Sequence, residues 1–190
     1  KALVFDADEV DARFWRGRAF SEKGEHDLAI ADFTEAILRG LEESCLPRCY
    51  YSRGRCRRFM GELDGAIEDL TEAIRLDPQY ADAYGTRGLV WQDLGDYRKA
   101  IADYDLAIRN DPESAIAYHN RGNAWVYLGK LRKGIADFTR AIHLDPKDAI
   151  THTSRGIAWR RKGRYAKALA DYERALELDP QSARRRRVLG

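Results

Sequence analysis

The chain has 190 residues, 34% of them charged and 44% hydrophobic, with a formal net charge of +2. No apolar run approaches the roughly 18 residues of a membrane helix, so a span is excluded, and so small a net charge leaves any attraction to nucleic acid or anionic lipid to local clusters. Three cysteines make no disulfide framework, and with no basic-then-apolar leader pattern the expected compartment is reducing and cytoplasmic.

Lys1 to Glu9 reads as the end of a helix and aligns place for place with Arg174 to Ser182, so it is expected to close a preceding repeat. Arg16-Gly17 then opens a series continued by Arg53-Gly54, Arg87-Gly88, Arg121-Gly122 and Arg155-Gly156, at spacings of 37, 34, 34 and 34. Seven residues after each stands a second glycine: Gly24, Gly61, Gly95, Gly129 and Gly163. A small-aromatic-small pattern follows, as in Ala29-Phe33-Ala36-Ile37 and Ala168-Tyr172-Ala175-Leu176. Asp-Pro closes four of the repeats, at Asp77, Asp111, Asp145 and Asp179. A fixed period of this length marks a solenoid. Five full repeats occupy 10–43, 47–80, 81–114, 115–148 and 149–182, with Ser44-Cys45-Leu46 inserted after the first and 183–190 starting another helix.

Each repeat carries two apolar stripes at helical spacing. In the third these are Tyr84, Arg87, Gly88 and Trp91, then Ala100, Tyr104, Ala107 and Ile108. Gly95 with Asp96 separates them as a stop followed by a new N-cap, and Asp-Pro ends the second helix because the residue before proline avoids the helical region. In the first repeat Gly40 is expected to stop the second helix early, with Pro47 starting the next.

The 34-residue period, the aromatic-Arg-Gly-aromatic first helix, the Ala-x3-Phe/Tyr-x2-Ala second helix and the terminal Asp-Pro resemble the tetratricopeptide repeat (TPR) family over essentially the whole chain. The resemblance implies an all-α, right-handed α-solenoid of stacked helix-turn-helix repeats, a single array over 1–190. It also implies a concave surface, lined by the first helices, that takes a partner peptide. One departure is systematic: Arg16, Arg53, Arg87, Arg121 and Arg155 stand where the commoner pattern has Leu. Each is matched by an Asp one place before the second-helix aromatic (Leu70 in the second repeat), at Asp32, Asp69, Asp103, Asp137 and Asp171, and a ladder of Arg–Asp pairs is expected.

Opposite the core stripe, within an arc of roughly 120°, the second repeat places Arg48, Tyr51, Ser52, Arg55, Arg58 and Phe59. The same places hold Phe14, Trp15 and Arg18 in the first repeat, and Asn120, Asn123 and Tyr127 in the fourth. From Ser44 to Gly61 there are five arginines and no acidic residue. Arginine forks beside aromatics suit acidic or carboxylate-ended peptides. Family members that clamp chaperone tails use Lys and Asn at groove places that here carry Phe14, Arg18, Ser52, Asp82 and Thr86, so that activity is not expected.

The function expected is a non-enzymatic protein-interaction scaffold holding a protein or peptide partner in the groove. Self-assembly into a homo-oligomer by stacking of the open ends is the alternative. Nucleic-acid binding through the arginine clusters is a third reading, opposed by the acidic columns. No cofactor, no metal, no membrane partner and no catalytic set is called for: Cys45 and Cys49 lack the further ligands of a zinc site. Cys49 and Cys56 occupy small core places and are expected to be packed thiols. His119 and His152 could face each other across neighbouring helices. Arg57 stands in the column of Phe20, Trp91, Trp125 and Trp159, which predicts a local irregularity beside the insertion. Arg184 to Arg187 reads as the solvated start of an unfinished helix.

Overall fold

A computed structural model describes residues 7–180 of the chain, and among them there are helices and no strands. The helices are α1 (Ala7–Lys23), α2 (His26–Leu38), α3 (Leu46–Met60), α4 (Leu63–Leu76), α5 (Ala81–Asp93), α6 (Tyr97–Asn110), α7 (Ala115–Tyr127), α8 (Leu131–Leu144), α9 (Ala149–Arg161) and α10 (Tyr165–Leu178). They fall into two compact units that part between Leu94 and Gly95. The first holds the hairpins α1–α2 and α3–α4 with α5; the second holds α6 with the hairpins α7–α8 and α9–α10.

The helix ends follow from two recurring devices. At Gly61 the backbone turns left-handed, φ 81°, and the next amide, Glu62 N–H, bonds back to Arg57 carbonyl at 2.9 Å. Only glycine takes that conformation without strain, and it satisfies carbonyls that the helix end would orphan. At Asp77, Asp111 and Asp145 the residue before proline leaves the helix, and its carboxylate accepts the amide two residues on, as Asp77 does from Gln79 at 3.0 Å. The first repeat lacks Asp-Pro, and there Gly40 stops α2 with φ 87° while Leu41 tucks into the core.

One boundary differs from the expectation. Ala7, Asp8 and Glu9, placed by register at the close of a preceding repeat, form the first turn of α1. Ala7 stands in the column that holds proline elsewhere, so nothing bars the helical region there. The remainder of that segment, Lys1 to Asp6, and the expected helix start at Ala183 to Gly190 with its Arg184 to Arg187 run, lie outside the described residues.

The helices of a hairpin pack through the glycine column. A Cβ on Gly122 would stand 2.8 Å from the Phe138 ring, and one on Gly134 would stand 2.8 Å from the Gly122 carbonyl. Phe138, Phe33 and Leu70 fill the same place in three hairpins and are fully buried. Cys49 and Cys56 are buried, free thiols. Their S–H groups reach the Phe33 carbonyl at 3.6 Å and Ser21 Oγ at 3.3 Å. Burial pushes the Cys49 thiol up to about 12, so it stays protonated and serves packing.

The arginine column bonds in two directions. Nε and Nη2 of Arg16 donate to both oxygens of Asp32 at 2.7 Å each. Arg53 holds Asp69 in the same way at 2.9 and 2.6 Å, Arg121 holds Asp137 at 2.8 and 2.7 Å, and Arg155 holds Asp171 at 2.9 and 2.6 Å. The remaining nitrogen, Nη1, reaches the preceding repeat: Arg53 to Thr34 (3.0 Å), Arg87 to Thr71 (2.9 Å), Arg121 to Asp105 (2.6 Å) and Arg155 to Thr139 (3.2 Å). Arg87 and Asp103 belong to different compact units.

Arg57 departs from the aromatic column by turning onto α4. Its Nη1 donates to Asp69 at 3.0 Å and to the Gly65 carbonyl at 3.2 Å, and a Cβ on Gly65 would crowd the guanidinium at 3.2 Å. In the fourth and fifth repeats the same two columns hold Lys133 over Trp125 (4.2 Å) and Lys167 over Trp159 (4.6 Å).

This packing sets the cost of three substitutions. Asp69→Ala strands Arg53, whose side chain is only 12% exposed, and is expected to cost about 3 kcal/mol or more in urea unfolding. Asp32→Ala leaves an Arg16 side chain that is 59% exposed and is expected to cost clearly less than Asp69→Ala in the same measurement, because water replaces the lost partner. Gly134→Ala is expected to destabilise by about 1–3 kcal/mol even though alanine occupies that column in the other repeats, since the Gly122 backbone is too close to move.

Candidate functional site

The first helices of the first two repeats, α1 and α3, bound an open cavity of about 250 Å³ lined by Phe14, Arg18, Ser21, Glu22, Arg48, Tyr51, Ser52, Arg55 and Tyr80. Helical spacing brings these side chains to one side: Phe14, Arg18 and Ser21 recur at i, i+4 and i+7 along α1, and Arg48, Tyr51, Ser52 and Arg55 at i, i+3, i+4 and i+7 along α3. Arg55 lies over the Tyr51 ring at 5.5 Å, and Tyr51 meets Tyr80 at 5.0 Å between centroids. Arg18 makes a loose contact with Glu22 at 3.9 Å. Arg48 and Arg55 stand outside the carboxylate pairs that hold Arg16, Arg53 and Arg57 in this unit. The cavity therefore offers guanidinium donors, two phenols and two serine hydroxyls, with one carboxylate at its edge.

Tyr80 was not anticipated. It occupies the helix-capping column, where Ser114 accepts from Ala117 amide at 3.3 Å and Asp148 accepts from Ile150 amide at 2.9 Å. Tyr80 makes no such side-chain cap to α5. Its departure from a capping residue type is the signal by which sequence reasoning could have found it. Burial first, then Tyr51 and Asp82, holds its phenol above the ordinary range, so the hydroxyl remains a donor at neutral pH.

The expected groove residues do not all gather here. Phe14 is 2% exposed and packs on Phe33 at 6.1 Å, which makes it the floor of the cavity and no surface anchor. Its place on α1 falls at the border between the outer arc and the core stripe. Trp15 is 55% exposed, edge-on to Phe14 and beneath Arg18 at 5.0 Å, and it is absent from the lining. Arg58 is bound to Asp93 at 2.6 Å. Phe59 lies flat on His26, 4.9 Å away and 3° from parallel.

In the second compact unit Tyr127 stacks on Tyr97 at 4.8 Å, and Asn120 is half-buried on α7. Asn123 Nδ2 donates to His119 Nε2 at 2.8 Å, and His119 Nδ1 meets Thr151 Oγ1 at 2.7 Å. The Thr151 hydroxyl in turn donates to the Asp148 carboxylate. These roles are mutually consistent for a neutral imidazole with its proton on Nδ1. Burial lowers the His119 pKa, with Asp148 opposing. His119 thus reaches Thr151 on α9, whereas His152, expected opposite it, turns to Asp171 at 3.5 Å and the Pro146 carbonyl at 3.4 Å. A second cavity, of about 640 Å³, opens between α9 and α10 and is walled by apolar groups including Ile150, Ile157, Tyr172 and Leu176.

Among the described residues no helix is long and apolar enough to cross a membrane. Tetratricopeptide repeat profiles match residues 2–42 and 119–183, and residues 81–114, and a TPR repeat profile matches residues 57–95. No curated protein matches the chain. Among solved structures, that of MamA is 25% identical, superposes with a TM-score of 0.77, and covers 88% of this chain and 96% of its own. MamA from Desulfovibrio magneticus RS-1 is 22% identical with a TM-score of 0.79, covering 92% and 97%. YrrB, described as "a TPR protein with an unusual peptide-binding site", is 20% identical with a TM-score of 0.70, covering 88% and 85%. At the lower identities the likeness is one of fold.

The buried imidazole carries a pH prediction. A histidine with a lowered folded-state pKa contributes stability that is present above its unfolded value and is lost as pH falls from there through the folded value. Stability is expected to decline as pH falls below about 6.5, the ordinary histidine value, and His119→Gln is expected to flatten that decline. Urea titrations of both proteins at each pH measure the difference.

Proposed function

The chain belongs to the tetratricopeptide repeat family, an all-α solenoid of helix-turn-helix repeats, and from that premise we propose that its first compact unit docks an acidic or carboxylate-ended segment of a partner protein in the cavity between α1 and α3. Repeats of this family typically serve as non-enzymatic interaction modules, and peptide binding is what the description of YrrB ascribes to that protein.

The observation that carries the reading is the division among the arginines. Those of the ladder are consumed by carboxylates of their own hairpin, whereas Arg48 and Arg55 face the cavity outside such pairs. A planar guanidinium binds a carboxylate through two parallel N–H donors, so two such groups fix both the place and the direction of an acidic side chain or chain end. Tyr51 and Tyr80 supply apolar faces beside them, and their hydroxyls with Ser21 and Ser52 accept or donate along the peptide backbone. Phe14 beneath keeps the cavity floor dry. Arg58, Phe59, Tyr127 and Asn123, already bound within the fold, are left out of this reading, as are Trp15 and Asn120.

Fluorescence anisotropy with labelled acidic peptides tests it. Arg48→Glu with Arg55→Glu is expected to weaken binding by about a hundredfold or more, each reversed charge replacing attraction with repulsion. Peptides with Gln for Glu and an amidated end should lose most of the affinity of their acidic counterparts. Equal affinity for acidic and neutral peptides, or for parent and double variant, would overturn the proposal.

A further inference from the structure

Within each compact unit, one repeat receives the next at the same few places. The Nη1 group of Arg53, Arg87, Arg121 or Arg155 bonds the residue at Thr34, Thr71, Asp105 or Thr139. A small residue of the incoming first helix, Cys49, Ala83 or Ala117, is buried. The second-helix aromatic beneath, Phe33 or Phe138, is fully covered.

α10 presents this receiving face with no following repeat among the described residues. Glu173 stands in the column of Thr34 and Asp105. Tyr172 and Leu176 open, with Ile150 and Ile157, onto the cavity of about 640 Å³. Leu176 is 50% exposed and Tyr165 67%. α1 presents the complementary set with no preceding repeat among the described residues. Arg16 spends Nε and Nη2 on Asp32, leaving Nη1 for the place its counterparts fill. Exposed Ala12 stands in the column of Cys49, Ala83 and Ala117, and exposed Trp15 in that of Ser52, which in α3 faces the cavity of the repeat before it.

We propose that copies of this chain associate head to tail, α1 of one copy seating on the α9–α10 face of the next, with Trp15 entering the apolar cavity and Arg16 Nη1 bonding Glu173. The Arg121–Asp105 contact at 2.6 Å is the same bond made with a carboxylate inside the chain. A second copy suits the face because its α1 carries the residue types of the incoming columns: Ala12 in the place of Cys49, Ala83 and Ala117, which are 0%, 0% and 5% exposed, and Arg16 in that of Arg53. The two faces are unlike, so each bound copy leaves one of each open, and association proceeds beyond a dimer.

Sedimentation velocity over a concentration series tests the proposal. The parent is expected to grow in mass with concentration. Trp15→Glu blocks one face, and Glu173→Arg with Leu176→Asp blocks the other, each at exposed positions where circular dichroism should show an unchanged fold. Each variant alone is expected to remain monomeric, with association weakened about tenfold or more. A mixture of the two should form a one-to-one dimer and nothing larger, because it contains one intact face of each kind. A parent that stays monomeric at millimolar concentration would overturn the proposal, as would variants that associate like the parent. Association that appears only when residues 181–190 are removed would also overturn it, assigning the face to the chain's own end.

Discussion

A guanidinium with three committed directions organises this protein. Two of its donors grip a carboxylate on the second helix of the same hairpin, and the third reaches the hairpin before. A pair of helices this short cannot bury enough apolar surface to stand alone, so every repeat depends on its neighbours. Leucine in the arginine column would supply apolar contact without direction, and an ion pair removed from water seldom adds net stability over such a substitute. What the arginine adds is geometry. A planar fork that must meet both oxygens of one Asp and one oxygen of another repeat admits few relative placements of three helices.

The same logic explains why Arg57 is tolerated in an aromatic column. In the later repeats a lysine of the second helix lies across a tryptophan of the first, cation over ring. In the second repeat both partners change: the cation moves to the first helix as Arg57, and Gly65 on the second has no side chain to obstruct it and lends its carbonyl. The charge is redistributed within one pair of columns, and Asp69 then accepts from two arginines. The neighbouring helices α3 and α4 keep their hairpin, with the length irregularity confined to the α2–α3 connection.

Most of the fold was legible because its signals are local and repeated. Left-handed glycines and Asp-Pro mark helix ends by backbone sterics alone, and arginine and aspartate columns sixteen residues apart announced the rungs of the ladder. The outward bond to Thr34 or Asp105 was not legible, because threonine and aspartate are ordinary on an exposed helix. The early start of α1 had its signal in Ala7, standing where proline stands elsewhere. In the candidate site, the helical arc grouped Arg18, Arg48, Tyr51 and Arg55, which line one cavity, since four residues on adjacent first helices need only the period. The arc also took in Arg58, Phe59 and Tyr127, which the fold engages elsewhere. Their partners Asp93, His26 and Tyr97 lie on other helices, and such meetings depend on how one hairpin is rotated against the next. Tyr80 escaped because it stands before α5, outside the helical arc.

The backward reach of the arginines gives the array a polarity in time as well as in space. Each Nη1 looks for an acceptor on the hairpin already passed, never on the one still to come. A polypeptide leaving the ribosome amino end first therefore exposes Thr34 before Arg53 and Asp105 before Arg121, and every newly extruded hairpin meets a finished template. The growing molecule can consolidate step by step during synthesis, each new hairpin closing against the one made before it.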